Sequence, residues 1–369
     1  MKYYNFFLLV LFFSSCSTEK TTNKIFVNLE SVHKVDISNH QNLGDFISDV
    51  NYIPLESSSD ITITNIIEIK TCNDAFFLST KESNSDDIVI LKYGLEGNYI
   101  SKYETAKTIK SFDVHCAKNL LVLTFDEVNP SLSVVDAETG ERLKECDLIT
   151  TVVEIFWTED DKKFIYNPFS NTEDKALNAM QEISNNCNNI DSGFATKTSS
   201  LNTVIGGGSV NRHKNEFAIH TLGQKHVTFF DSEGENIANI TFEGIPELIN
   251  DYSHLGNIQF PIISTRLNES YFYTSFYSPE YNFQIFTDRL TGKSTKVPSL
   301  TKLTEYGNRF DFLFNGIIGE HEQFFLSTVN AELYHLVKDE HSIDSEHIKH
   351  IPVLEEGDNP MLVLYDFNF

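Results

Sequence analysis

Basic residues are scarce in this chain. Its 369 residues include 28 Lys and Arg against 53 Asp and Glu, a formal net charge of −25. Clustered Lys and Arg are what hold the phosphates of nucleic acids and of anionic lipids. The balance therefore excludes general nucleic-acid binding and a polybasic surface that docks on a membrane.

Glycine (17 residues), proline (9) and cysteine (5) are also few, whereas 40% of the chain is hydrophobic and 12% aromatic. This composition excludes disorder, and its aromatic and β-branched residues favour strands over helices. The motifs G-x-S-x-G, H-E-x-x-H and G-x-G-x-x-G and the P-loop are absent as well. No sequence motif therefore indicates an enzyme.

The chain has no long hydrophobic run. The apolar residues 6–13 are too few to span a bilayer and have the length of a signal-peptide core. They lead through Ser14 and Ser15 to Cys16, which resembles a bacterial lipobox. We predict a lipoprotein signal peptide over residues 1–15, lipidation of Cys16 by acyl chains such as palmitate, and a polar tether over residues 16–24. An ordinary signal peptide with an incidental cysteine is the alternative.

A repeat organises the rest of the sequence. A short polar turn followed by an aromatic-rich strand recurs six times, and these strands begin at residues 76, 120, 164, 217, 271 and 324. The spacings of 44 to 54 residues are typical of propeller blades. A second hairpin in four of the units turns through Gly97, Gly140, Gly234 or Gly292, where glycine supplies a positive φ. Residues 25–369 are therefore predicted to form a single all-β domain, a propeller of six four-stranded blades, rather than a β-sandwich.

Blades three and six interrupt the second pattern. Ser170 starts a capping-box match over residues 170–173, which is followed by apolar residues at helical spacing, and Asn330 is followed by a weaker helical pattern. We expect a short helical insertion in each blade and propose that the two face each other across a channel mouth. The last blade then lacks a strand, which residues 52–56 supply. Pro54 suits an outer edge strand because proline donates no ladder hydrogen bond.

Cys72 and Cys116 occupy matching positions in adjacent blades. Four cysteines, these two with Cys146 and Cys187, allow three pairings, and export permits disulfides. Equivalent positions in neighbouring blades are expected to lie beyond the reach of a disulfide, about 7 Å between Cα atoms. We therefore predict that Cys72 and Cys116 are unpaired thiols.

These features together resemble the six-bladed β-propeller lipoproteins of the Bacteroidota. The resemblance rests on the small residues before Cys16, on residues 51–56, on the six repeats and on residues 358–365. It implies an exported lipoprotein, with Ser17 favouring the outer membrane and the periplasmic or surface face left open. The family has no defined molecular role, so the resemblance implies no reaction.

Candidate functional residues fall into two groups. Long connections share one face of the propeller, and function concentrates where loops are long. Aromatic and arginine side chains there are the predicted ligand contacts. They are Tyr252, His254, Tyr306 and Arg309. Polar residues on inner strands are predicted to line the channel, where oxygen ligands would suit Ca²⁺. They are Glu68, Asp113, His115, Glu154, Asn211, Gln259 and Asp311.

The sequence leaves two functions open. The first is a non-enzymatic, lipid-anchored binding or scaffold module that takes a peptide, a glycan or a partner protein of the envelope on its long-loop face. The second is a hydrolase or lyase with an axial carboxylate or calcium site. No cofactor is expected for the first.

Overall fold

The structure is a computed structural model. It describes residues 23–28, 33–34, 47–57, 61–72, 74–82, 87–125, 130–148, 152–167, 171–172, 175–176, 180–184, 189–194, 209–220, 225–243, 264–277, 282–298, 317–340 and 351–369.

The chain begins with three strands that belong to late blades: β1 (Asn23–Asn28), β2 (His33–Lys34) and β3 (Ile47–Pro54). Blade 1 contains β4 (Ile63–Cys72), β5 (Ala75–Glu82), β6 (Ile88–Gly94) and β7 (Tyr99–Tyr103). Blade 2 contains β8 (Ile109–His115), β9 (Leu120–Phe125), β10 (Ser131–Asp136) and β11 (Arg142–Asp147).

Blade 3 contains β12 (Glu154–Trp157), β13 (Lys163–Tyr166), β16 (Met180–Ile183) and β17 (Asn189–Phe194), with the small ladder of β14 (Asn171–Thr172) and β15 (Lys175–Ala176) beside it in sequence. Blade 4 contains β18 (Ser209–His213), β19 (Glu216–His220), β20 (His226–Asp231) and β21 (Asn236–Glu243). Blade 5 contains β22 (Ser264–Leu267), β23 (Tyr271–Tyr277), β24 (Asn282–Asp288) and β25 (Ser294–Pro298). Blade 6 contains β26 (Gly319–His321), β27 (Phe324–Val329), helix α1 (Ala331–Glu340) and β28 (Met361–Phe367).

The six-bladed propeller predicted from the repeat is confirmed. The second strands of the blades begin at or within one residue of the predicted positions. The four hairpin glycines, Gly97, Gly140, Gly234 and Gly292, all have a positive φ, between 69° and 83°. The spacing of turns in the sequence therefore fixes the spacing of the blades.

The core is a ring of six apolar layers, one between each pair of neighbouring blades. Blades 3 and 4 meet at Phe164 and Phe217, whose rings lie edge to face at 5.1 Å. Blades 6 and 1 meet around Leu326, Leu362 and Phe76. The presence of all six layers shows that the ring is closed. The high aromatic content is explained by these layers, since aromatic side chains bury large areas in edge-to-face geometry.

The predicted closure is also confirmed. β3 is the outer strand of blade 6 and pairs antiparallel with β28, so that Pro54 lies opposite Met361. Asn359 holds this junction against blade 1. Its side chain accepts a hydrogen bond from the Ile63 amide at 2.8 Å and donates one to the Glu56 carbonyl at 2.8 Å. The two parts of the chain that close the ring are thus bonded to the first blade.

The N-terminal segment does more than the sequence indicated. β1 pairs in parallel with β21 as a fifth strand of blade 4, and β2 pairs in parallel with β25 of blade 5. β1 begins at Asn23, within the predicted tether. The segment therefore runs along the outer edges of blades 4, 5 and 6 in succession, covering edges that would otherwise leave backbone groups unpaired.

One of the two predicted helical insertions is wrong. In blade 6, α1 follows Asn330, whose side chain caps it by accepting the Leu333 amide at 2.8 Å. In blade 3, Asn171 and Thr172 of the capping-box match instead form β14, which pairs with β15, and Met180 and Ile183 lie in β16. Met180 packs into the layer between blades 3 and 4, and Ile183 packs into the layer between blades 2 and 3. Because both faces of a blade are buried, two side chains three residues apart on one strand point to opposite faces and are both buried, which imitates a helical period. A pair of facing helical flaps is not supported by the described residues.

The prediction of unpaired thiols is wrong as well. Cys72 and Cys116 form a disulfide with a Cα–Cα distance of 5.3 Å. Cys146 is also in a disulfide. The predicted separation fails because Cys72 ends β4 and Cys116 directly follows β8. At these inner ends, adjacent blades converge on the axis.

In the part of the chain that the structure describes, no helix has the length and apolar character needed to cross a membrane.

Candidate functional site: the axial cavity

The inner strands of all six blades end around one cavity of about 940 Å³ on the axis. It opens on the face where the first and second strands of each blade are joined by tight turns. Residues from every blade line it. They include Lys70, Asp74, His115, Ala117, Trp157, Glu159, Arg212, His213, Lys214, Glu269, Glu320, His321 and Glu322. The Cys72–Cys116 disulfide lies at its wall, joining two neighbouring blades.

Arg212 and Asp113 form the central ion pair of this end of the channel. Arg212 Nε and Nη2 donate to the two oxygens of Asp113 at 3.1 and 3.0 Å. The Asp113 carboxylate is fully buried and also accepts the backbone amides of Val114 and Trp157 at 2.9 and 2.6 Å. One carboxylate therefore joins blades 2, 3 and 4, and a bidentate geometry of this kind is the strong form of the pair.

The other axial charges come from the remaining blades. Lys70 and Glu68 of blade 1 pair at 2.7 Å. Arg266 of blade 5 donates to the backbone carbonyls of Thr265 and Ile318 at 2.9 and 3.4 Å. With Glu154 of blade 3 and Glu320 of blade 6, the described axis holds four carboxylates (Glu68, Asp113, Glu154, Glu320) and three cations (Lys70, Arg212, Arg266). The network is one cation short of neutrality.

The excess of carboxylates over cations raises the proton affinity of the buried axial carboxylates. Burial, with the neighbouring charge of Glu68, raises the pKa of Glu154 to about 7, and Lys70 and Arg266 oppose the shift. Burial likewise raises the pKa of Glu320. Burial alone would lower the pKa of Lys70, but the nearby carboxylates, Glu68 first, hold it above its ordinary value. Glu154 therefore binds a proton near neutral pH, and this proton offsets the missing cation.

Three histidines end the inner strands of alternate blades, His115 in blade 2, His213 in blade 4 and His321 in blade 6. Burial lowers the pKa of each, that of His213 to about 4, so all three are neutral at pH 7. His115 packs edge to face on Trp157 at 5.0 Å, and His321 on Phe76 at 5.8 Å. These two rings pack against the next blade.

A calcium or other metal site is not evident in the described part of the axis. No group of three or more His, Cys, Asp or Glu side chains in this part is arranged to hold an ion. The two oxygens of Asp113 already accept four hydrogen bonds, so this carboxylate has little capacity for a cation. What the arrangement offers is a polar cavity with both donors and acceptors at its wall.

The structure brings part of the predicted site together. Glu68, Asp113, Glu154, Asn211 and His115 lie on inner strands, as expected. Asp311 and Gln259, the ligand candidates Tyr252, His254, Tyr306 and Arg309, and the lipidation candidate Cys16 lie outside the described residues.

Sequence reasoning missed the cations of the axis, Lys70, Arg212 and Arg266, and the acid Glu320. A signal was present for three of them. Arg212, Arg266 and Glu320 each stand one residue before the end of the inner strand of blades 4, 5 and 6. In blades 4, 5 and 6, that shared position carries a charged axial side chain.

No protein-family model matches the chain, and no curated protein sequence does. Solved structures are similar to it in fold. A protein of Bacteroides fragilis described as exported superposes with a TM-score of 0.73 at 13% identity, over 94% of this chain and 100% of that chain. A member of the DUF4221 family from Bacteroides vulgatus superposes with a TM-score of 0.52 at 10% identity, over 87% of this chain and 97% of that chain. At these identities the likeness concerns the fold.

Proposed function

We propose that this chain is a lipid-anchored propeller of the bacterial cell envelope that binds a peptide, a glycan or a partner protein without chemically changing it. The observation that carries the proposal is the axial cavity, because every blade contributes to its wall and its volume is that of a ligand site. The lipobox-like sequence at Cys16 supports the anchor, and the fold shared with an exported Bacteroides protein is consistent with an envelope location. The proposed location is the outer membrane.

The axial charges support binding rather than catalysis. The buried Asp113 is held by Arg212 and by two backbone amides, and Lys70 is held by Glu68. Groups engaged in this way keep the wall of the cavity rigid. A rigid, preformed polar wall lowers the ordering cost of binding. The long-loop residues Tyr252, His254, Tyr306 and Arg309 are proposed as a second contact surface.

Photo-crosslinking in intact cells tests the proposal. A benzoylphenylalanine placed at Asp74, an exposed residue at the cavity wall, should capture a defined species. The same probe at Glu141, an exposed residue of the outer hairpin of blade 2, is the matched control and should capture none. A probe at Tyr306 examines the long-loop face in the same way. Absence of a specific adduct from both Asp74 and Tyr306 would refute a binding role.

One observation favours the alternative, an enzyme with an axial carboxylate. Glu154 has a pKa of about 7 beside Glu68, and a carboxyl poised near neutral pH suits general acid–base work. If this is its role, Glu154→Gln abolishes turnover of the captured species while its binding persists. If the captured species is recovered chemically unchanged after prolonged incubation with the wild-type protein, the alternative is eliminated.

A further inference from the structure

The position of β1 bears on how the propeller meets the membrane. β1 is the outermost strand of blade 4, and its first residue, Asn23, pairs with Ala238. Only seven residue steps separate Asn23 from Cys16, and a fully extended chain of that length spans roughly 25 Å. A globular domain of this size has a radius of gyration of about 20 Å, so its far side lies about 50 Å away. A lipid on Cys16 therefore tethers the outer edge of blade 4 and cannot reach the opposite edge.

The same edge carries the most exposed apolar side chains. Among the large hydrophobic residues that the structure describes, Leu290 is 94% exposed and Phe26 is 64% exposed, the two highest values. Phe26 lies on β1 itself. Leu290 lies in the turn between β24 and β25, and this turn lies beside β1, since a Cβ added to its Gly292 would stand 3.7 Å from the Ile25 side chain.

We call Phe26 and Leu290 the rim patch. Exposed apolar residues scattered singly need no explanation, but these two flank the point where the tether joins the fold. We propose that the rim patch of blades 4 and 5 lies against the lipid bilayer and that the propeller sits edge-on, with the mouths of its channel directed along the membrane rather than into it. This inference rests on the proposed lipidation of Cys16.

Edge-on seating has a consequence for the cavity. The Leu290 turn lies on the same face as the cavity mouth, because Arg289 beside it donates to the Asn268 carbonyl in the turn between the first two strands of blade 5. It belongs to the rim of that face, whereas the cavity opens at the centre. Seating by the rim patch therefore leaves the mouth open to soluble or membrane-bound partners. The acidic chain is compatible with this arrangement, because the acyl chains supply the anchoring energy and the two apolar side chains only fix the orientation.

Tryptophan quenching by brominated lipid tests the orientation. The full-length protein, purified from the membrane with its native N-terminus, is reconstituted into phosphatidylcholine vesicles with or without bromine on the acyl chains. Trp157, the single tryptophan, is only 3% exposed and gives the wild-type baseline. Leu290→Trp and Phe26→Trp report on the rim patch. Leu143→Trp is the matched control, since Leu143 is 53% exposed on the outer strand of blade 2, opposite blade 5 in the ring.

We expect brominated lipid to remove the added emission of Leu290→Trp and Phe26→Trp and to leave that of Leu143→Trp unchanged. Equal quenching at all three positions, or quenching at none, overturns the edge-on orientation. The mass of the N-terminal peptide separates this failure from that of the anchor. An acylated Cys16 without rim quenching overturns the orientation alone, whereas an unmodified Cys16 overturns both.

Discussion

Arg212 of blade 4 and Asp113 of blade 2 form a bidentate ion pair although blade 3 stands between them. Blade 3 joins the pair through the Trp157 amide, which donates to the same carboxylate at 2.6 Å. Removing Arg212 would leave a fully buried carboxylate without its cation, a change that costs about 3 kcal/mol in other proteins.

We therefore expect Arg212→Met to lower the free energy of unfolding by about 3 kcal/mol in urea denaturation. Arg142→Met is the matched control, because Arg142 pairs with Glu145 at 2.6 Å on the surface, where such a pair contributes about 1 kcal/mol or less. Equal losses for the two variants would show that the axial pair does not hold the three blades together.

The Cys72–Cys116 disulfide closes a loop of 44 residues between the first two blades. The chain-entropy model assigns such a bridge about 4 kcal/mol, through its effect on the unfolded chain. The double variant Cys72→Ala/Cys116→Ala should therefore unfold at a lower urea concentration than the wild type. In excess reductant, the wild type and the double variant should unfold at the same urea concentration, apart from any small effect of replacing the two thiols. If the double variant remains less stable than the wild type after reduction, the loss comes from the packing of the two side chains and not from the disulfide.

Glu154 makes stability depend on pH in a specific direction. The folded state holds its proton up to about pH 7, whereas the ordinary carboxyl value is 4.5. Between these limits the folded state binds more protons than the unfolded state, so the contribution of Glu154 to stability falls as the pH rises from about 4.5 to about 7.

Glu154→Gln removes this titration. We expect the variant to gain stability relative to the wild type across that interval and the gain to level off above pH 7. Glu141→Gln, at an exposed position, serves as the control. Parallel pH profiles of the wild type and Glu154→Gln would contradict the assignment of the axial proton to Glu154.

Asn359 connects the closing strands to blade 1 while only 1% exposed. Asn359→Ala would leave the Ile63 amide and the Glu56 carbonyl without this partner, and an unsatisfied buried group costs about 1–3 kcal/mol. We expect a loss of about 2 kcal/mol in the free energy of unfolding. Asn236→Ala, which removes an exposed amide bonded to Asn239, should change it little. If both variants change the free energy of unfolding by a similar amount, Asn359 does not stabilise the closure of the ring.

Much of the fold was predictable because turns are local. The four hairpin glycines and the six polar turns mark the ends of strands, and β-strand spacing follows from them. The helix predicted in blade 3 was not correct, because Met180 and Ile183 are buried on opposite faces of one strand, and sequence alone does not distinguish this three-residue spacing from a helix. β1 was missed because an added parallel edge strand has no turn of its own to signal it.

The candidate site was predictable only in part. Asp113 and Glu154 were recognised as polar residues on inner strands, but their partners Arg212 and Lys70 come from other blades. The distance between two blades at the axis depends on the closure of the whole ring. The same dependence explains the Cys72–Cys116 disulfide. The sequence prediction excluded this bridge because it assumed one fixed distance between equivalent positions of neighbouring blades.

The most direct test of the binding role is a blocked cavity. Ala117 is exposed at the cavity wall, so Ala117→Trp should fill part of the mouth without disturbing the core. Thr139→Trp, at an exposed position in the outer hairpin of blade 2, is the matched control. We predict that crosslinking from Asp74 in intact cells is lost in Ala117→Trp and unchanged in Thr139→Trp. Undiminished crosslinking in a folded Ala117→Trp protein would contradict a binding role of the cavity.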